Sequence, residues 1–198
     1  MPDALVRDLS PSEFFHEGIT RAMKRQRVST SAFTECYLVS LLTACLRADV
    51  LPAAEPGFSE TPLALLYARA LESSGAERTR RLRRLGDAAL FISGFFADSL
   101  DAGAIGHRYY QTLGERAYDH LSQREARTHG PGVFAELSGR FGDLADVIAE
   151  VSDESRSASP TSVVRLYERW LETGSRRAAT QLAQRGITPM APANELAQ

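Results

Sequence analysis

The chain has 198 residues, 43% of them apolar and 8% aromatic, enough for one generous hydrophobic core or two halves sharing one. Its 23 basic and 25 acidic residues leave a net charge of −2, which excludes a global attraction to nucleic acid or to an anionic membrane. No apolar run approaches the roughly 18 residues of a bilayer span, and Met1 to Asp8 holds neither a basic leader nor an apolar export segment, so a cytoplasmic protein without a membrane partner is expected.

Period-2 alternation is nearly absent, and helix signals recur along the whole chain, predicting an all-α fold. Ser10-Pro11-Ser12-Glu13 supplies an N-cap, a proline at N1 and a glutamate at N3, opening a first helix to about Gln26. Thr30 or Ser31 caps a second helix to about Ala48. A Pro/Gly-containing loop from Leu51 to Glu60 precedes Thr61-Pro62, which opens a third helix to about Ser74. A fourth runs from about Glu77 to Leu100 and a fifth from about His107 to Gln123. A sixth spans about Val133 to Glu154 after Gly130-Pro131-Gly132. The serine-rich stretch Ser155 to Ser159 reads as a linker, and Pro160 opens a seventh helix ending near Gly186. Residues 1–9 form an arm, 10–186 a single helical domain, and 187–198 a tail expected to fray.

Two helices show how the bundle packs. In the sixth, Phe134, Leu137, Phe141, Leu144, Ile148 and Val151 form one apolar stripe, while Asp143, Asp146, Glu150 and Asp153 fall on what reads as a solvated face. In the fourth, Ala88 to Phe96 is apolar nearly all round, predicting the central helix. Gly94 costs about 1 kcal/mol against alanine there, which predicts another backbone passing close by.

Self-comparison finds Leu66-Tyr67-Ala68-Arg69-Ala70-Leu71-Glu72 matching Leu166-Tyr167-Glu168-Arg169-Trp170-Leu171-Glu172 at a separation of 100 residues. Phe14-Phe15 matches Tyr109-Tyr110 at a separation of 95. Chance likeness between amphipathic helices accounts for such matches. The alternative is two related three-helix units, 10–74 and 107–186, around the apolar fourth helix.

Candidate chemistry starts with carboxylates in apolar surroundings. Glu35 shares a helix face with Val39 and Leu42, and Asp87 shares one with Leu90, Phe91 and Gly94. A buried carboxylate is either paired or raised in pKa, so each reads as a structural pair or as a ligand-anchoring or proton-transfer group. Asp87, in mid-helix, is the leading single residue, with Tyr110 a neighbour for the same pocket. Five guanidinium groups at Arg78, Arg80, Arg81, Arg83 and Arg84 read as a solvated or internally paired face. The other reading is an anionic ligand or partner held by Arg80, Arg81 and Arg84.

Metal and catalytic signatures are missing. One Glu-x-x-His spacing, Glu13 to His16, stands without the second that a di-iron bundle needs, and His107, His120 and His129 lack zinc spacing. Cys36 and Cys45 lie nine positions apart on one predicted helix, roughly 13 Å, too far for a disulfide. No nucleophile elbow or phosphate loop is present, so no cofactor is expected.

Tyr37-Leu38-Val39-Ser40-Leu41-Leu42, Leu85-Gly86-Asp87 with Gly94-Phe95-Phe96, Tyr109-Tyr110, and Arg165-Leu166-Tyr167-Glu168-Arg169-Trp170-Leu171 resemble a family of uncharacterised bacterial all-helical proteins of about this length. That resemblance implies a bacterial source and carries over no site residue. The sequence favours a non-catalytic adaptor or regulatory protein with a protein partner, and permits a homodimer. The alternative is a small-ligand-binding or enzymatic bundle with its pocket near Asp87, Glu35 and Tyr110.

Overall fold

A computed structural model describes residues 10–45, 61–97, 106–129, 132–155 and 170–184, and among these the chain is all-α with no strand. Eight helices are bounded within them: α1 (Pro11–Gln26), α2 (Ala32–Cys45), α3 (Leu63–Glu72), α4 (Gly75–Phe95), α5 (His107–His129), α6 (Val133–Gly139), α7 (Phe141–Ser155) and α8 (Arg176–Gln184). None of the described helices is long and apolar enough to cross a membrane.

The apolar run in α4 places that helix in the middle. Leu85, Ala88, Ala89, Leu90 and Phe91 are buried, and α4 packs most extensively against α5 and α7, with α3 alongside. Its C-terminal end climbs to the surface: Phe95 is half-buried and Phe96 exposed, and both pack on Phe91 at 5.1 and 5.6 Å between ring centres. A second layer is built by α1, which packs on α2 and α7, while α6 lies mainly on α5.

Helix starts follow the local sequence. Ser10 and Glu13 form a reciprocal capping box, with the Ser10 amide donating to Glu13 Oε2 at 2.8 Å and the Glu13 amide donating to Ser10 Oγ at 3.3 Å. Ser31 begins α2, its Oγ accepting from the Thr34 amide at 3.3 Å. A contribution from far along the chain joins it: the Glu136 carboxylate in α6 accepts from the Ser31 amide at 3.0 Å and from the Ser31 hydroxyl at 3.1 Å. These bonds hold the Glu136 carboxyl below the usual range against the opposing effect of burial.

Five sequence expectations are corrected. The seventh helix, expected from Pro160 to near Gly186, is broken at Gly174, which takes a positive φ of 67°, and Ser175, so that α8 starts only at Arg176. The fourth, expected to about Leu100, ends at Phe95, with Phe96 as a non-helical C-cap. The helix expected over Val133 to Glu154 is two helices, interrupted where Arg140 takes a non-helical backbone as C-cap of α6. The fifth helix runs on to His129. The acidic face of α7 is not solvated at Asp146, which is only 3% exposed. Its Oδ2 accepts from the Ser175 hydroxyl at 2.6 Å and from the Arg177 amide at 3.2 Å, so it satisfies the N-terminal donors of α8. Glu150 meets Arg25 at 2.9 Å, and Asp153 pairs with Arg177. In the proposed repeat, Tyr167 lies outside the described residues, as do the 51–60 loop, the 155–159 linker beyond Ser155 itself, the start of the seventh helix at Pro160 and the tail.

Gly94 meets its expectation. A Cβ built there would lie 2.6 Å from Ile148 and 2.9 Å from the Ala145 carbonyl oxygen, so the α7 backbone passes directly over it. We predict that Gly94→Ala destabilises by about 1–3 kcal/mol in urea unfolding, because overpacking outweighs the gain in helix propensity. Gly139, with open space around it, serves as control: Gly139→Ala should be neutral or stabilising by up to about 1 kcal/mol. Equal effects at the two positions would contradict the close approach.

Candidate functional site

Asp87 lies two turns before the end of α4, where the helix passes between α2 and α5, and its side chain keeps only 19% exposure. One carboxylate oxygen, Oδ1, accepts two phenol hydroxyls: Tyr37 from α2 at 2.5 Å and Tyr118 from α5 at 2.8 Å. The other, Oδ2, stands 3.8 Å from Arg83 Nε one turn earlier on α4. Arg83 also donates to the Tyr37 oxygen at 3.1 Å and lies over the Tyr37 ring, 5.1 Å from its centre.

Aromatic packing fixes the two phenols. Phe134 of α6 sits edge-on to Tyr37 and stacked on Tyr118, each at 6.0 Å between ring centres. Tyr118 is fully buried against Gly86, where a Cβ would come within 2.7 Å of the ring. Glycine is therefore required next to Asp87 for α5 to bring its phenol onto the carboxylate. The cluster joins α2, α4, α5 and α6 through one acidic group.

Electrostatics follow from this burial. Removal from water pushes the Asp87 carboxyl above its ordinary range, although the two phenols and Arg83 oppose the shift. Burial and the Asp87 charge hold both the Tyr118 and the Tyr37 hydroxyl firmly protonated. Cys45 on α2 feels the same two influences, and its thiol is pushed up to about 12. It is thereby inert as a nucleophile at neutral pH. The arrangement is a proton-rich hydrogen-bond node with its acceptor oxygen already occupied.

The other sequence candidates are dispersed. Glu35 is half-buried in the first turn of α2, and Tyr110 is half-buried on α5, edge-on to Tyr109 at 5.3 Å. Neither hydrogen-bonds to Asp87, whose phenols are Tyr37 and Tyr118. Arg80 and Arg81 both close on Glu77 of their own helix, Arg81 at 2.6 Å, and not on the acidic α7. Burial lowers the half-buried Arg84 guanidinium. Among the described residues, no group of three or more His, Cys, Asp or Glu side chains could hold a metal ion.

Sequence reasoning missed two further features. A cavity of about 60 Å³ beside the start of α8 is lined by Ser93, His107, Gln111, Asp146 and Ser175. Among the described residues, the buried Ser93 hydroxyl finds no hydrogen-bond partner. A cleft of about 320 Å³ between α4 and α5 is lined by Arg78, Thr79, His120, Gln123 and Arg124 over Leu82 and Leu121. Only helix periodicity could have paired these residues, and it does not say which helices are neighbours.

Asp87 offers a direct test. Its carboxyl binds a proton more tightly in the folded chain than in the unfolded one. Its contribution therefore favours folding below the ordinary carboxyl range and is lost as pH rises through the raised folded value. We expect Asp87→Asn, which keeps an acceptor for the phenols, to gain stability relative to the parent chain between about pH 4 and pH 7 in urea unfolding. Asp87→Leu strands both hydroxyls and should cost about 2–4 kcal/mol. An Asn variant that loses ground as pH rises would contradict the assignment.

No family model matches the chain, and no curated protein or solved structure shows significant similarity to it.

Proposed function

We propose that the chain is a non-catalytic helical adaptor or regulatory protein that works by contact with a partner protein. The observation that carries this reading is the outer face of α2. Phe33 is 79% exposed, and the following residues on the same face, Cys36 and Ser40, are exposed as well. Its inward side is apolar, with Leu38, Val39, Leu41 and Leu42 buried, while the outward side carries Phe33 among small and hydroxyl side chains. A phenylalanine this exposed, flanked by small side chains that let a partner approach closely, fits an anchor point for a binding face.

The chemistry of the face suggests its occupant. Between α1 and α2 lies an open groove of about 360 Å³ with Val39 at its floor, Cys36 and Ser40 on one wall, and Glu13, His16 and Glu17 on the other. An acidic rim beside an apolar floor complements an amphipathic helix whose apolar stripe is edged by lysine or arginine. The competing reading, a small-ligand or catalytic pocket at Asp87, Glu35 and Tyr110, draws less support. The Asp87 oxygen is committed to two phenols, and Asp87 does not line this groove or the clefts beside α8 and between α4 and α5.

A photo-crosslinking amino acid in place of Phe33, in the native host, tests the proposal. We expect one partner protein to be captured through a basic amphipathic helix, with yield falling several-fold on charge reversal by Glu17→Lys, which leaves the Ser10–Glu13 capping box intact. Capture of a second copy of this chain would replace the basic partner by self-association. Labelling no greater than from the same group at exposed Arg80 would remove the reading.

A further inference from the structure

The arginine run at the start of α4 raised an anionic partner, but its members do not share one environment. Arg80 and Arg81 share the one carboxylate of Glu77, and Arg83 is engaged by Asp87 and Tyr37. Arg78 differs. It is half-buried, its guanidinium makes no hydrogen bond or ion pair among the described residues, and it lines the cleft between α4 and α5.

Other donors converge on the same cleft from α5. Arg124 and His120 line it one turn apart, with Gln123 beside them. Arg124 is held in place by donating from Nη1 to the Gly75 carbonyl at 2.9 Å, which leaves its remaining N–H groups for a ligand. Tyr67 of α3 packs near His120, 6.0 Å between ring centres; burial raises its hydroxyl above the ordinary phenol range, against the lowering charges of Arg116 and Arg78. Asp119 acts on that hydroxyl in the opposite sense and is already bonded by Gln123 at 2.8 Å. Among the described residues, no carboxylate lines the cleft itself.

We propose that this cleft binds the phosphoryl group of a small phosphate monoester. Two guanidinium groups and an imidazole on two helices surround a volume, and so match the three oxygens of a tetrahedral phosphoryl better than the two of a planar carboxylate. Buried Leu82 and Leu121 give the floor an apolar surface for the ester's organic body. At about 320 Å³ the cleft falls at the small end of ligand sites, which span roughly 300–1,000 Å³.

Calorimetric titration of the full chain with phenyl phosphate tests the proposal, with benzoate as the planar competitor. Saturable binding of phenyl phosphate is expected, tighter than benzoate, and weakened at least about tenfold by Arg78→Gln and again by Arg124→Gln. Arg80→Gln, outside the cleft, should leave binding unchanged. Both positions are at the surface, and an unchanged far-ultraviolet circular dichroism spectrum will establish that the variants fold. Three results would overturn the assignment: no saturable binding of phenyl phosphate, equal binding by Arg78→Gln and the parent chain, or an equal loss in Arg80→Gln. None of these readouts involves Phe33, so the site stands or falls independently of the adaptor face.

Discussion

A single carboxylate oxygen, Asp87 Oδ1, takes hydroxyl bonds from two different helices, and that shared acceptor fixes how α2 and α5 stand against α4. Neither phenol could be buried without it, because an unpaired hydroxyl in an apolar interior is costly. The carboxylate in turn tolerates its surroundings only because the phenols and Arg83 lie within reach. Polar satisfaction and helix packing are here the same constraint, and Gly86 makes it geometrically feasible by leaving room for the Tyr118 ring.

Around this node the bundle follows ordinary packing. Small residues in α4 admit close neighbours: Gly94 lies under the α7 backbone, and Gly86 under a tyrosine ring. Surface chemistry is divided accordingly. The groove beside α2 and the cationic cleft of α4 and α5 lie on different helices and, on the proposed readings, would select different kinds of molecule. A regulatory protein whose partner contact responds to a small phosphate would use such a division.

Much of the architecture was legible because it depends on local signals. The Ser10–Glu13 capping box, the central position of Ala88 to Phe91 and the close approach at Gly94 all follow from short-range pattern. The break at Arg140 was not legible, since the apolar stripe from Phe134 to Val151 keeps helical spacing straight through it and no proline marks the place. Asp146 misled for a related reason: its position on α7 is polar by periodicity, but α8 covers it. At the site, Asp87 stood out as a carboxylate among apolar residues. Its partners Tyr37 and Tyr118 did not, being 50 and 31 residues away on helices whose adjacency no periodicity encodes. The run of arginines likewise showed how much charge was present, but not that two of its members share Glu77 while Arg78 faces a cleft.

The manner in which α8 is fastened has a consequence for how the chain comes apart. Ala178 and Leu182 form an apolar cluster of their own with Trp170, separate from the main core, while Asp146 and Asp153 hold the start of the helix by charge and hydrogen bonding. Because Asp146 and Arg177 are almost out of reach of solvent, dissolved electrolyte weakens these ties far less than it weakens an ion pair on the surface. Lifting the last described helix away would strand the Asp146 carboxylate without its two donors and uncover Leu182 at the same time, so polar and apolar losses fall together.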